Sequence, residues 1–272
     1  MAKSTPNPTS SILWFMLLTT LYSIVEYSTG KGDPNVDVKD NVKNSSSGRN
    51  FFIYMLLVFI SEYFVNLGLT NTLCGSNQIP TAMLVTVLPW CVIFGIMVLL
   101  LSLFPGWLSP FSNTFGYAVA LMAGLNDTMA DILSSNPTGT KLGESNEQMQ
   151  QALSHIYSDQ SLLVNEITVD NFNYFWNNMK GVFRPGVANS LALKNQLYNM
   201  VRLKDIVATY IWYMLGGLLI TSVSYNYIIN TSCSISAAEI QSRHEEYEKE
   251  LTDAQETAKN NKDSQRIYTS SE

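Results

Sequence analysis

The sequence predicts a mainly α, polytopic helical membrane protein with about four transmembrane helices, a central polar and mostly helical domain, and a C-terminal amphipathic helix. Two observations predict this fold class. Only 14% of the 272 residues are charged while 46% are hydrophobic, against about 25% charged in a typical soluble domain. The apolar residues also gather in long uncharged runs, separated by stretches rich in Asn and Ser. A hydrocarbon core about 30 Å thick needs roughly 20 apolar residues in helix to cross it.

Residues 1–104 form the membrane region, with spans at about 11–27, 51–69 and 82–104. The first is the shortest. Its Met1-Ala2-Lys3 flank resembles the start of a signal peptide, but no small-x-small cleavage site follows, so it is read as a retained span or signal anchor. The second contains Glu62, a carboxyl well inside an apolar run, with Asn66 one helical turn further on. The third is the most apolar and carries Pro89. A fourth span falls at 205–230, its apolar run beginning at Ile206 and including Gly216-Gly217, a place where a neighbouring backbone can come close. Aromatic residues near the ends, Trp107 among them, fit the headgroup level.

Residues 105–204 combine an interfacial helix with the central polar domain. Phe111 to Leu133 is apolar for only about eleven residues before Asn126, Asp127 and Asp131 appear, so length favours an interfacial or re-entrant helix over a fifth span. Charge agrees. Lys31, Lys39, Lys43 and Arg49 precede the second span, and Arg184, Lys194, Arg202 and Lys204 precede the fourth. With four spans both groups share one side, the cytoplasmic side by the positive-inside rule, and both termini lie opposite. Within the domain the sequence predicts helix at Glu147 to Tyr157 and a short strand at Ser161 to Ile167. Phe172, Phe175, Trp176 and Met179 follow at helical spacing. Such a stripe is more often a domain core than a contact surface, and both readings are carried.

The tail, 231–272, is polar and helical. Ile235 to Glu272 holds nine acidic and five basic residues, four of the chain's net six negative charges. Ile240, His244, Tyr247, Leu251, Ala254 and Ala258 alternate at spacings of four and three, a weak heptad seam. Ile240, Tyr247 and Leu251 are its contact candidates, for a larger partner or for self-association.

The chemistry is sparse. A net charge of −6 offers no basic face for nucleic acid. No phosphate loop, HExxH, GxSxG or dinucleotide fingerprint occurs, and two histidines cannot build a His-rich metal site. No enzyme, cofactor or metal is expected. Under four spans Cys74 and Cys233 share the non-cytoplasmic side; they either form a disulfide there or are two unrelated small residues. Glu62, with Asn66, is the strongest intramembrane polar candidate, since a carboxyl in a span is costly and marks a functional hypothesis.

The segment Phe104-Pro105-Gly106-Trp107-Leu108-Ser109-Pro110-Phe111-Ser112-Asn113-Thr114-Phe115-Gly116-Tyr117, the segment Leu162-Leu163-Val164-Asn165-Glu166-Ile167-Thr168, and then Asn171-Phe172 and Phe175-Trp176 resemble stretches in multi-spanning membrane proteins of nucleocytoplasmic large DNA viruses of the algal-virus kind. The resemblance covers Leu88 to Trp176. It implies a structural virion protein in the inner membrane beneath an icosahedral capsid, whose polar parts contact minor capsid proteins. The expected function is therefore to anchor the capsid to that membrane. The alternative is a small ion channel or transporter subunit using Glu62.

Overall fold

The computed structural model describes residues 7–29, 46–75, 78–133, 160–231, 233 and 237–264. Nine helices are described: α1 (Thr9–Thr29), α2 (Ser46–Cys74), α3 (Ile79–Leu103), α4 (109–122), α5 (Leu125–Ile132), α6 (Gln160–Glu166), α7 (Phe172–Asn178), α8 (Leu191–Ile229) and α9 (Ala237–Ser264). No strand occurs among the described residues; one isolated antiparallel bridge joins Leu133 to Phe183. Four helices, α1, α2, α3 and α8, are long and apolar enough to cross a membrane.

Side-chain pairs fix how these four run. Ser11 meets Glu62, Thr19 meets Tyr54 and Asn50 meets Thr29, so α1 and α2 are antiparallel. Asn66 meets Thr86, which turns α3 back along α2. Ser224 meets Val85 and Tyr213 meets Phe94, so α8 runs against α3. The bundle is up-down-up-down. The C-termini of α2 and α8 share one end with the N-terminus of α1, and α4 to α7 gather at the other.

The centre of the bundle is built from rings. Phe15, Trp90, Phe94, Tyr54 and Tyr213 are buried together, with Tyr22, Phe51 and Phe59 packed around them. Centroid separations of 4.6–6.4 Å link them in stacked, tilted and edge contacts, the geometries that ring quadrupoles favour. Between helices in lipid, packing must replace the hydrophobic drive that water supplies. Large interlocking rings and two glycines supply it here. A β-carbon at Gly217 would strike the Phe15 ring, and one at Gly216 the end of the Met97 side chain.

Pro89 sits inside α3 and has no backbone N–H, so the Val85 carbonyl one turn earlier loses its helical donor. The Ser224 hydroxyl on α8 donates to that carbonyl at 2.8 Å. The helix resumes through a wider turn at Trp90–Phe94, where the Trp90 N–H reaches back to Thr86. In a bilayer a freed carbonyl must find such a donor. Ser224→Ala is therefore expected to destabilise the bundle by about 1 kcal/mol. The loss should vanish in a Pro89→Ala background, where residue 89 regains its own N–H; equal losses in the two backgrounds in denaturant titrations would refute this pairing.

At the opposite end from the α2 and α8 C-termini, α3 stops at the Phe104-Pro105 step. The chain then turns through Pro105–Leu108 into α4. Gly124, at φ 99°, takes the left-handed conformation that separates α4 from α5. α4 spans 14 residues, about 21 Å at 1.5 Å per residue, well short of a crossing. Phe115, Ala118 and Met122 leave an apolar stripe exposed along it, while Gly116 and Ala120 are buried. On α5, Asp127 and Asp131 face out and Leu125, Thr128, Met129 and Ile132 face in.

These inward residues join Leu163, Val164, Ile167, Phe172, Trp176, Phe183, Leu197, Tyr198 and Val201 in a second core, separate from the ring core of the bundle. One sequence expectation changes here, and of the two readings carried for the aromatic stripe the core is the one seen for Phe172 and Trp176. Residues 160–166 form α6 rather than a strand, because Leu163, Val164 and Ile167 share one helical face turned into this core. Phe172 and Trp176 are 1% and 2% exposed, Phe172 edge-on to Tyr198 and Trp176 tilted against Phe183, so they belong to the core and offer no contact surface. Phe175 packs half-buried against them, and Tyr174 is the ring of this helix left outside, at 76% exposure. The helix expected at Glu147 to Tyr157 lies outside the described residues. α8 continues without a break from this core into the membrane bundle. One element thus serves both.

Candidate functional site

Two structures can carry function: a polar stripe inside the bundle and the junction where the bundle meets the domain. The stripe runs along α2 at a spacing of four, through Tyr54, Val58, Glu62, Asn66, Thr70 and Cys74. All six are buried. Each step of four advances about 40° past a full turn, so this mostly polar row winds around α2 and stays buried along its length.

Glu62 is 1% exposed and accepts a hydrogen bond at Oε2 from the Ser11 hydroxyl. Ser11 is in the first turn of α1, so the carboxyl stands beside the positive end of that helix. Its other oxygen, Oε1, has no protein partner, and neither has the Trp90 indole Nε1. Asn66 does not join Glu62: its amide nitrogen donates to Thr86 Oγ1 at 2.9 Å on α3. The two candidate residues therefore tie α2 to two different helices. Directly beyond Glu62, toward the domain end, Phe15, Trp90, Phe94 and Val58 fill the centre of the bundle. The stripe ends at buried Cys74 and Gln78 on one side and is closed by rings in the middle. Among the described residues no group of His, Cys, Asp and Glu could hold a metal.

Cys74 ends α2 and Cys233 follows α8. The structure joins them in a disulfide, 2.05 Å between sulfurs, across 159 positions of sequence. Cys91 is free and faces outward from α3.

The junction is organised by cations at helix C-termini. The last carbonyls of a helix have no partner inside it and carry a partial negative charge, which a cation there can meet. Arg202 on α8 donates through Nη2 to the carbonyls of Glu26 (2.7 Å) and Tyr27 (3.1 Å) at the end of α1, and its guanidinium lies 5.7 Å from the Tyr27 ring. Lys204, only 2% exposed, donates through Nζ to the Val164 carbonyl (2.7 Å) in α6 and to Asn113 Oδ1 (3.3 Å) in α4. Arg184 donates through Nε to the Leu133 carbonyl (2.8 Å) just past α5. Sequence reading used these three residues only as topology-determining charges. Their capping roles could not be seen there, because each cation serves a helix distant in the chain.

Trp107 is 47% exposed at the domain end of the bundle, stacked on Phe104 and 6.3 Å from Trp212. Ile240, Tyr247 and Leu251 are exposed along α9, at 57%, 58% and 43%. Trp107 therefore stands at the junction of bundle and domain, and α9 follows the end of α8 that lies opposite it. Comparison with protein families, with curated proteins and with solved structures finds no match.

Proposed function

We propose that this chain is a structural membrane protein that anchors a protein assembly to a bilayer. The observation that carries this reading is the junction: a single 39-residue helix, α8, runs from the domain core into the bundle, and buried Lys204 and Arg202 bind that helix to α1, α4 and α6. A domain held this way transmits force to the membrane instead of moving against it. The positive-inside rule assigns the domain end to the cytoplasmic side. The resemblance to membrane proteins of large DNA viruses supports a finer statement, in which the assembly is a capsid and the membrane lies beneath it. The partners would then be minor capsid proteins, and Tyr174 is the exposed aromatic residue of the domain suited to meet them. The transport alternative draws less support, since rings close the bundle beyond Glu62.

Cross-linking mass spectrometry on the native membrane or particle tests this. Lys180, exposed on the domain, is expected to link to a coat protein in fixed stoichiometry. Domain lysines that link only within their own chain, at low copy number, would overturn the anchoring function.

A further inference from the structure

We propose that α9 pairs with α9 of a second copy of this chain, as a parallel, in-register two-stranded coiled coil on the non-cytoplasmic side. The inference extends the anchoring reading without depending on what the domain binds. It begins with the residue pattern. With His244 and Leu251 at position a and Ile240 and Tyr247 at d, the a and d positions of Ala237–Ser264 are Ala237, Ile240, His244, Tyr247, Leu251, Ala254, Ala258 and Asn261. Every apolar residue of the helix falls on this seam except Ala238. The described seam side chains are exposed.

Charge selects the occupant. In a parallel, in-register pair, position g of one helix meets position e of the next heptad in the other. Here those positions bring Arg243 to Glu248, Glu250 to Gln255 and Thr257 to Lys262. The one fully charged pair is attractive, and none is repulsive. The remaining positions b, c and f are polar or charged from Glu239 onward, as the wet faces of such a helix require.

The rest of the fold supplies direction and register. Two copies in one membrane have the same orientation, so α9 helices that rise along the membrane normal run parallel. The disulfide ties Cys233, four positions before Ala237, to the end of α2. Both α9 helices therefore start from the same height above the membrane. A seam with His244 and Asn261 among its core residues is weak, and polar core residues specify register at a cost in stability. Confinement of both roots to one membrane raises the effective concentration enough to compensate.

The test uses the full chain in its membrane with Cys91, which faces outward, replaced by Ala. Single cysteines are introduced at Tyr247 (d), Leu251 (a), Lys249 (f) and Glu256 (f), and mild oxidation is followed on non-reducing gels. Covalent dimer is expected to form roughly tenfold faster from positions 247 and 251 than from 249 and 256, because only seam residues face the partner helix. In the Tyr247→Cys background, Arg243→Glu should slow the reaction, and adding Glu248→Arg should restore it. Equal rates at all four positions, or adducts only with other proteins, would overturn the proposal.

Discussion

Gly116→Ala should destabilise the protein severely, while Gly216→Ala should be tolerated, although both glycines lie in tight helix crossings. At Gly116 a β-carbon would collide with the backbone carbonyl of Lys204 on α8. A backbone cannot swing aside, so α4 must move away as a unit. That movement pulls Asn113 from the Lys204 ammonium. It also disturbs the domain core, where Tyr117, Ala120 and Leu121 of α4 pack. We expect a loss of about 3 kcal/mol, the upper part of the range for forced overpacking. At Gly216 the collision is with the terminal methyl and sulfur of Met97, a flexible side chain that can rotate into the bilayer. There the expected loss is below about 1 kcal/mol. Denaturant titrations of the two variants in one detergent compare them directly. Similar losses, or the reverse order, would show that α4 is not seated against α8 as described.

How much of this could be read from the sequence follows from which interactions are local. The spans were legible because each is an apolar run with at most one charged residue, and 11–27, 51–69 and 82–104 lie inside α1 and α2 and largely within α3. That 111–133 is too short for a crossing was legible from its apolar length, and no helix there is long enough to span. Its break at Gly124, which turns α4 into α5, was not, since an isolated glycine inside an apolar run has several meanings. Residues 160–166 misled because a short run of Leu and Val fits a strand as well as a buried helix, and only the partners across the core decide. The core role of Phe172 and Trp176 was carried as one of two readings. At the polar stripe, Glu62 and Asn66 stood out singly, yet the regular spacing of Tyr54, Val58, Glu62, Asn66, Thr70 and Cys74 was present in the sequence and is a buried row of α2. Their partners Ser11 and Thr86 come from other helices, so no local signal could supply them. The same holds for Arg202 and Lys204. Adjacent in the chain and both cationic, they turn to different helix ends, and that division exists only in the folded bundle.

Removing the Cys74–Cys233 disulfide should weaken the fold at one end and loosen α9 from the membrane. The bridge closes 159 positions of sequence, a loop whose closure in a freely unfolding chain corresponds to roughly 5 kcal/mol. A membrane protein cannot realise all of that. Its spans stay inserted when the bundle opens, and the ends of α2 and α8 remain at the same face of the bilayer. About 2 kcal/mol is the part that survives, because only lateral separation of the two helices is left to restrict. Cys74→Ser with Cys233→Ser should therefore lower the unfolding free energy in denaturant titrations by that amount, and reductant should do the same to the unmodified protein but leave the double variant unchanged. The sidedness is testable with the same two residues. On intact vesicles, a membrane-impermeant maleimide should label them only after reduction and only from the side opposite the domain. Labelling without reduction, or from the domain side, would contradict the disulfide and the four-span arrangement together. The double variant also probes the root of the proposed coiled coil. Once α9 is no longer tied to α2, oxidation at a Tyr247→Cys position should lose its advantage over Lys249→Cys, because register would rest on the weak seam alone.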